Sequence, residues 1–124
     1  METVYIETTV VSYLVARPSR DLVVAGHQQL TREWWEFRRA KFACFISEMV
    51  LDEARAGDRE QAALRLQALH GLPRLAATEE GERLAAAFLR RVLPSKAAQD
   101  AAHLAIATAG KVSYLLTWNC SHLV

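Results

Sequence analysis

The chain has 124 residues, of which 52% are hydrophobic and 23% are charged. This length fits one domain, residues 1–124, and this composition provides a core and excludes a disordered chain. The formal net charge of +1 neither demands nor excludes a nucleic-acid partner. The sequence lacks an apolar run of the roughly 18 residues that a membrane span needs, and its first residues lack a signal-peptide pattern. We therefore predict a single-domain cytoplasmic protein with no membrane partner.

Hydrophobic spacing and capping residues predict strands that alternate with helices. Short apolar runs predict strands at 4–6, 41–46, 74–77 and 112–117. Helical spacing between N-cap residues, glycine and proline predicts helices at 11–15, 21–39, 47–56, 58–70, 78–93 and 95–109. Strands joined by helices pair in parallel, with helices on both faces. The predicted fold is therefore α/β, a three-layer α/β/α sandwich around a mostly parallel sheet.

Polar residues that follow the predicted strands are the candidates for function, because open parallel sheets bind ligands beyond the carboxyl ends of their strands. Glu7 follows the first strand, Glu53 lies on the helix after the second, and Asn119 follows the last. Taken alone, Glu7 is equally well explained as a solvated strand end, and Glu53 as a surface acid. Taken together, oxygen ligands from separate elements suit Mg²⁺ or Mn²⁺.

Asp100 is the single acid on a predicted helix that is otherwise rich in alanine and apolar residues. Such a helix is expected to be central, and a buried carboxylate is costly unless it is paired or binds a metal ion. Lys96, four residues earlier, offers an ion pair, and His103, three residues later, offers a hydrogen bond. Metal binding is the alternative to these structural roles.

Four segments, residues 4–12, 46–54, 100–107 and 115–119, resemble the PIN-domain family, and most closely the VapC-type toxins of bacterial toxin–antitoxin pairs. Their order and spacing fit the family and cover nearly the whole chain. The resemblance implies a metal-dependent endoribonuclease that hydrolyses RNA phosphodiesters with Mg²⁺ or Mn²⁺. It also implies a homodimer and a cognate antitoxin protein as partners. Because the family's chains usually continue with a further strand, it implies a sheet that lacks its last strand here.

The resemblance also assigns roles to individual residues. The catalytic positions of the family fall on Glu7, Glu53, Asp100 and Asn119, of which the three acids are the implied metal ligands. Thr9, and with it Thr117, would support them. Two departures from the family, the longer Glu7 in place of aspartate and the uncharged Asn119, favour one well-held ion over two.

Two other interpretations stay open at this point. A catalytically weakened or inactive PIN-like domain would act as an RNA- or protein-binding module through Trp34, Trp35 and Phe37, which basic residues flank. Adjacent helical residues point about 100° apart, so burial of both tryptophans and exposure of one are equally consistent with the sequence. A zinc site would instead use His103, Cys120 and His122, although this spacing matches no closed structural zinc pattern.

Overall fold

The structure, a computed structural model, describes residues 1–89 and 95–119, with the backbone alone at 89 and 95–97. Within these ranges the strands are β1 (Thr3–Ile6), β2 (Ala43–Phe45) and β3 (Tyr114–Leu116). The helices are α1 (Thr8–Val15), α2 (Leu22–Glu33), α3 (Glu48–Ala54), α4 (Arg59–Leu69), α5 (Glu79–Leu89) and α6 (Ser95–Ala109). Between α2 and β2 the chain forms a π-helix (Trp34–Arg38) and a 3-10 turn (Arg39–Lys41).

The sheet is parallel and has the strand order β2-β1-β3. Tyr5 in the central strand lies opposite Phe45 on one side and Leu115 on the other. The helix α1 packs against α2, α3 and α4, α3 packs against α4, and α5 packs against α6. This arrangement confirms the α/β class and is consistent with the predicted three-layer sandwich. Because the strand order reverses at β1, the carboxyl end of β1 is the place where such a sheet binds ligands.

The central strand explains why the fold is stable. Val4, Tyr5 and Ile6 are all buried, so β1 is covered on both faces, as a strand between two helical layers should be. The side chains of the predicted N-caps accept hydrogen bonds from backbone N–H groups at the starts of α2, α3 and α4. These N-caps are Asp21, Ser47 and Asp58. The strand β1 and the starts of α2, α3 and α4 thus lie where the sequence pattern predicts them.

The predicted strand at 74–77 is wrong. Arg74 forms one isolated parallel bridge with Ile46, and no strand continues from it in the described part of the chain. Ala76 and Ala77 are exposed, so a longer pairing there would bury little apolar surface. The long helix predicted to run to residue 39 is α-helical only as far as Glu33, and a π-helix follows it directly. No helix among the described residues has the length and apolarity to cross a membrane.

Candidate metal centre

Glu7 occupies the carboxyl end of β1, where the chain turns into α1. Its backbone N–H donates to Leu116 O at 3.0 Å, which ties this turn to β3. Its side chain is only 6% exposed, and Oε1 accepts hydrogen bonds from the hydroxyls of Thr9 and Thr117, the latter at 2.6 Å. The two residues expected to support the site therefore both orient Glu7.

Glu53 reaches the same place from α3. Its Oε1 accepts hydrogen bonds from the Thr8 hydroxyl and from His103 Nε2, the latter at 2.6 Å. Burial disfavours the charged carboxylate, but the hydrogen bonds from His103 and Thr8 and the Coulombic attraction of His103 together outweigh burial and hold the pKa of Glu53 below its ordinary value. The Glu53 carboxyl is thus ionised at neutral pH.

A chain of buried hydrogen bonds holds His103 in position. Its Nδ1 lies 2.6 Å from the Tyr5 hydroxyl, which lies 2.7 Å from Ser47 Oγ. Because a carboxylate only accepts, His103 Nε2 donates to Glu53, and a neutral ring then accepts from Tyr5 at Nδ1. Burial raises the pKa of the Tyr5 phenol, so it keeps the proton that it donates. Ser47 completes the chain by donating to Tyr5 and accepting from Val50 N at 3.3 Å.

Asp100 and Asn119 meet beside this cluster. Asp100 is buried on α6, and its Oδ1 accepts a hydrogen bond from Asn119 Nδ2 at 2.8 Å. The backbone N–H of Asn119 donates to Thr117 Oγ at 2.9 Å, and Thr117 in turn donates to Glu7. The predicted hydrogen bond between His103 and Asp100 is not made, because His103 bonds to Tyr5 and Glu53 instead. The predicted partner Lys96 has a side chain outside the described residues.

The donor set fits a divalent ion. One ligand atom each from Glu7, Glu53 and His103 lies within 4.8 Å of the others. Opposite ligands of an octahedral Mg²⁺ are about 4.2 Å apart, so the two carboxylates can share an ion after small adjustments. Both nitrogens of His103 are already in hydrogen bonds, which makes His103 a group that positions Glu53. Asp100 lies one turn earlier on α6, outside this trio, and its role as a ligand stays a prediction.

Three surface acids have a cationic partner that Glu7 lacks among the described residues. Glu48, Asp52 and Glu60 are each paired with an arginine. Among the described residues, no lysine or arginine nitrogen lies within 4.0 Å of the Glu7 carboxylate. A buried carboxylate without a cationic partner is costly, and a divalent cation would remove this cost.

The residues predicted as a partner surface differ in exposure. Trp34 and Trp35 are half-buried against the core, whereas Phe37 is 66% exposed. Neither tryptophan is fully buried or fully exposed, and of these three residues only Phe37 is mostly exposed. The zinc interpretation cannot be completed, because Cys120 and His122 lie outside the described residues.

Sequence reasoning overlooked the buried chain Ser47–Tyr5–His103 as the support of Glu53, and it missed Trp118. Trp118 joins α2 to the acids: its backbone N–H donates to Thr9 Oγ at 2.9 Å, and its indole N–H donates to Thr31 Oγ at 2.8 Å. The sequence signals for this support are a histidine on an alanine-rich helix and the threonines that follow Glu7. They are not specific, because hydroxyl residues at such positions also form turns.

In comparisons with protein-family models, with curated proteins and with solved structures, the chain matches none of them.

Proposed function

We propose that the protein is a metal-dependent endoribonuclease that hydrolyses RNA phosphodiesters at an ion held by Glu7, Glu53 and Asp100. The observation that carries this proposal is the buried Glu7 carboxylate, which lies beside Glu53 and is bonded to hydroxyls instead of a basic side chain. Oxygen ligands of this kind favour Mg²⁺ or Mn²⁺. The resemblance of the four sequence segments to PIN domains supports the same chemistry.

Each residue of the centre has a defined task in this proposal. When bound, the ion supplies an activated water and neutralises charge on the phosphodiester oxygens. Thr9 and Thr117 fix the orientation of the longer Glu7 side chain through its Oε1. His103 keeps Glu53 ionised and aimed at the centre, and Asn119 orients Asp100 through its amide. Such supporting hydrogen bonds commonly set metal affinity as strongly as the ligands do.

The wider role follows from the resemblance alone. We propose that the protein is the toxin of a toxin–antitoxin pair, with RNA as substrate, a cognate antitoxin as inhibitor and a homodimer as its assembly. These partners stay predictions, and co-expression with the protein encoded beside its gene would test the antitoxin directly.

Calorimetric titration with Mn²⁺ tests the metal centre. The variants Glu7→Gln and Asp100→Asn keep side-chain size while removing charge. Loss of a group that only supports a ligand costs about 10- to 100-fold in affinity, so we expect loss of a ligand charge to weaken binding by at least about 10- to 100-fold. Asp52→Asn is the matched control, because Asp52 lies next to Glu53 in sequence but pairs with Arg55 on the surface. Its affinity should equal that of the wild type.

Cleavage of a labelled RNA, with Mn²⁺ or with EDTA, tests the reaction. We expect the wild type and Asp52→Asn to cleave the RNA in Mn²⁺ and not in EDTA. In Mn²⁺, the cleavage rate of Asp100→Asn should be lower by at least about 100-fold. Mn²⁺ binding without cleavage would favour the second candidate, a PIN-like domain that binds RNA or protein without cutting it. Equal Mn²⁺ affinity in the wild type and in all three variants, Glu7→Gln, Asp100→Asn and Asp52→Asn, would contradict the assignment of the metal ligands.

A further inference from the structure

An apolar groove of about 660 Å³ opens next to the candidate metal centre. It lies between the α2–π-helix segment and the end of β3. Among its lining residues are Val10, Leu30, Trp34, Phe37, Arg38 and Trp118. Leu30 and Phe37 are 57% and 66% exposed although both are apolar. Apolar side chains that line an exposed groove are typical of a binding site.

The groove and the metal centre share residues. Thr117 lines the groove, and its hydroxyl donates to Glu7 Oε1 at 2.6 Å. Trp118 also lines it, and its backbone N–H bonds to Thr9, whose hydroxyl donates to Glu7. A strand whose phosphodiester lies at Glu7 would therefore place an adjacent nucleotide over the groove.

The lining matches one kind of occupant. Phe37 offers an exposed aromatic ring, on which a base of a single-stranded nucleic acid can stack. Trp34 and Trp118 line the groove beside it but are half-buried, and one face of Trp118 is already covered by His27 at 4.2 Å. The lining also contains one cationic and one anionic side chain, Arg38 and Glu33. Among the described residues Arg38 forms no ion pair, so its guanidinium can bind a phosphate. A base within a duplex is stacked on both faces and cannot enter. The groove thus favours an unpaired nucleotide.

We infer that this groove binds an unpaired nucleobase of the RNA substrate, next to the phosphodiester at the metal centre. The inference rests on the proposed function for the position of that phosphodiester. The groove then sets affinity and register, while the carboxylates carry the chemistry.

Fluorescence anisotropy with a labelled oligouridylate octamer in EDTA tests binding without cleavage. We expect Phe37→Ala to weaken binding roughly 5- to 100-fold, the range that loss of one base–aromatic stack produces. Leu22→Ala is the matched control, because Leu22 is 88% exposed on the same helix segment and does not line the groove. Its affinity should equal that of the wild type.

A scan with octamers that carry an abasic spacer at one position at a time separates stacking from a general effect. At the position whose base occupies the groove, the spacer should weaken binding to the wild type. With the spacer at that position, the wild type and Phe37→Ala should bind the octamer with nearly equal affinity, because the spacer and the substitution delete the same contact. With a cleavable RNA in Mn²⁺, Phe37→Ala should raise KM and leave kcat nearly unchanged.

Three results would overturn the inference. One is equal RNA binding by Phe37→Ala and Leu22→Ala, and another is a Phe37→Ala defect of the same size at every spacer position. The third is unchanged RNA binding together with a concentration-dependent dimer that Phe37→Ala alone abolishes in sedimentation, which would give the groove to a second copy of the chain. Base-dependent binding without Mn²⁺-dependent cleavage would instead refute only the proposed nuclease function.

Discussion

Replacement of Tyr5 by phenylalanine tests the buried hydrogen-bond chain that supports Glu53. The substitution removes one oxygen atom and keeps the ring in the centre of the sheet, where Tyr5 is 0% exposed. His103 Nδ1 then loses the hydroxyl that donates a hydrogen bond to it, and Ser47 Oγ loses the oxygen to which it donates. Both partners are themselves buried, so water cannot readily replace the lost hydroxyl.

The expected loss of stability follows from this count. A buried polar group that loses its partner costs about 1–3 kcal/mol, and two such groups lose one here. Ser47 keeps its hydrogen bond from Val50 N, so its share is about 1 kcal/mol. We therefore expect the free energy of unfolding to fall by about 2–4 kcal/mol, a large part of the roughly 5–15 kcal/mol that stabilises a domain of this size. The midpoint of thermal unfolding should fall by roughly 5–15 °C.

Urea denaturation followed by tryptophan fluorescence measures this difference. Tyr114→Phe is the matched control, since it removes the same atom from a tyrosine that is 50% exposed and bonds to Glu2 at the surface. Its unfolding midpoint should equal that of the wild type. The slope with denaturant should stay constant in both variants, because the folded state buries the same surface.

The reasoning fails if Tyr5→Phe unfolds at the same urea concentration as Tyr114→Phe. That result would mean that His103 and Ser47 find other partners, and that the position of Glu53 does not depend on the chain. A loss of stability with unchanged Mn²⁺ affinity would leave the packing argument intact and refute the positioning role of His103.

Two further predictions concern pH and backbone conformation. The lowered pKa of Glu53 means that its carboxylate stabilises the fold at neutral pH, and that this contribution is lost as the pH falls through the lowered value. Unfolding midpoints measured from pH 7 to pH 3 should therefore fall less in Glu53→Gln than in the wild type, and parallel profiles would contradict this. Gly57 follows α3 with a φ of +82°, so Gly57→Ala should cost about 1 kcal/mol in urea denaturation, while Gly26→Ala, in the middle of α2, should not destabilise.

The sequence was sufficient to predict the positions of the acids because their location follows from topology. Parallel strands carry their carboxyl ends to one edge, so residues that follow β1 and β3 meet there, and Glu7 and Asn119 do lie at that edge. Asp100 was recognisable because a charged residue on an alanine-rich helix requires a reason for its burial. These arguments use local pattern and connectivity and need no side-chain geometry.

The remaining features depend on distances that a sequence pattern does not contain. His103 was expected to bond to Asp100 on its own helix, but its partners Tyr5 and Glu53 come from elements 98 and 50 residues away. The strand predicted at 74–77 failed because an apolar run predicts a strand only where a neighbouring strand can cover it. The π-helix that projects Phe37 has no pattern that we could recognise.

The register of β1 has a consequence for the folding of the protein. Side chains alternate between the faces of a strand, so a shift of one residue would move Tyr5 away from His103 and Ser47. Such a compact but misaligned chain would bury its apolar residues almost as well, yet it would leave Glu53 without its support. High affinity for Mn²⁺ would then distinguish correctly paired molecules from misaligned ones during refolding, although both would have similar helix content.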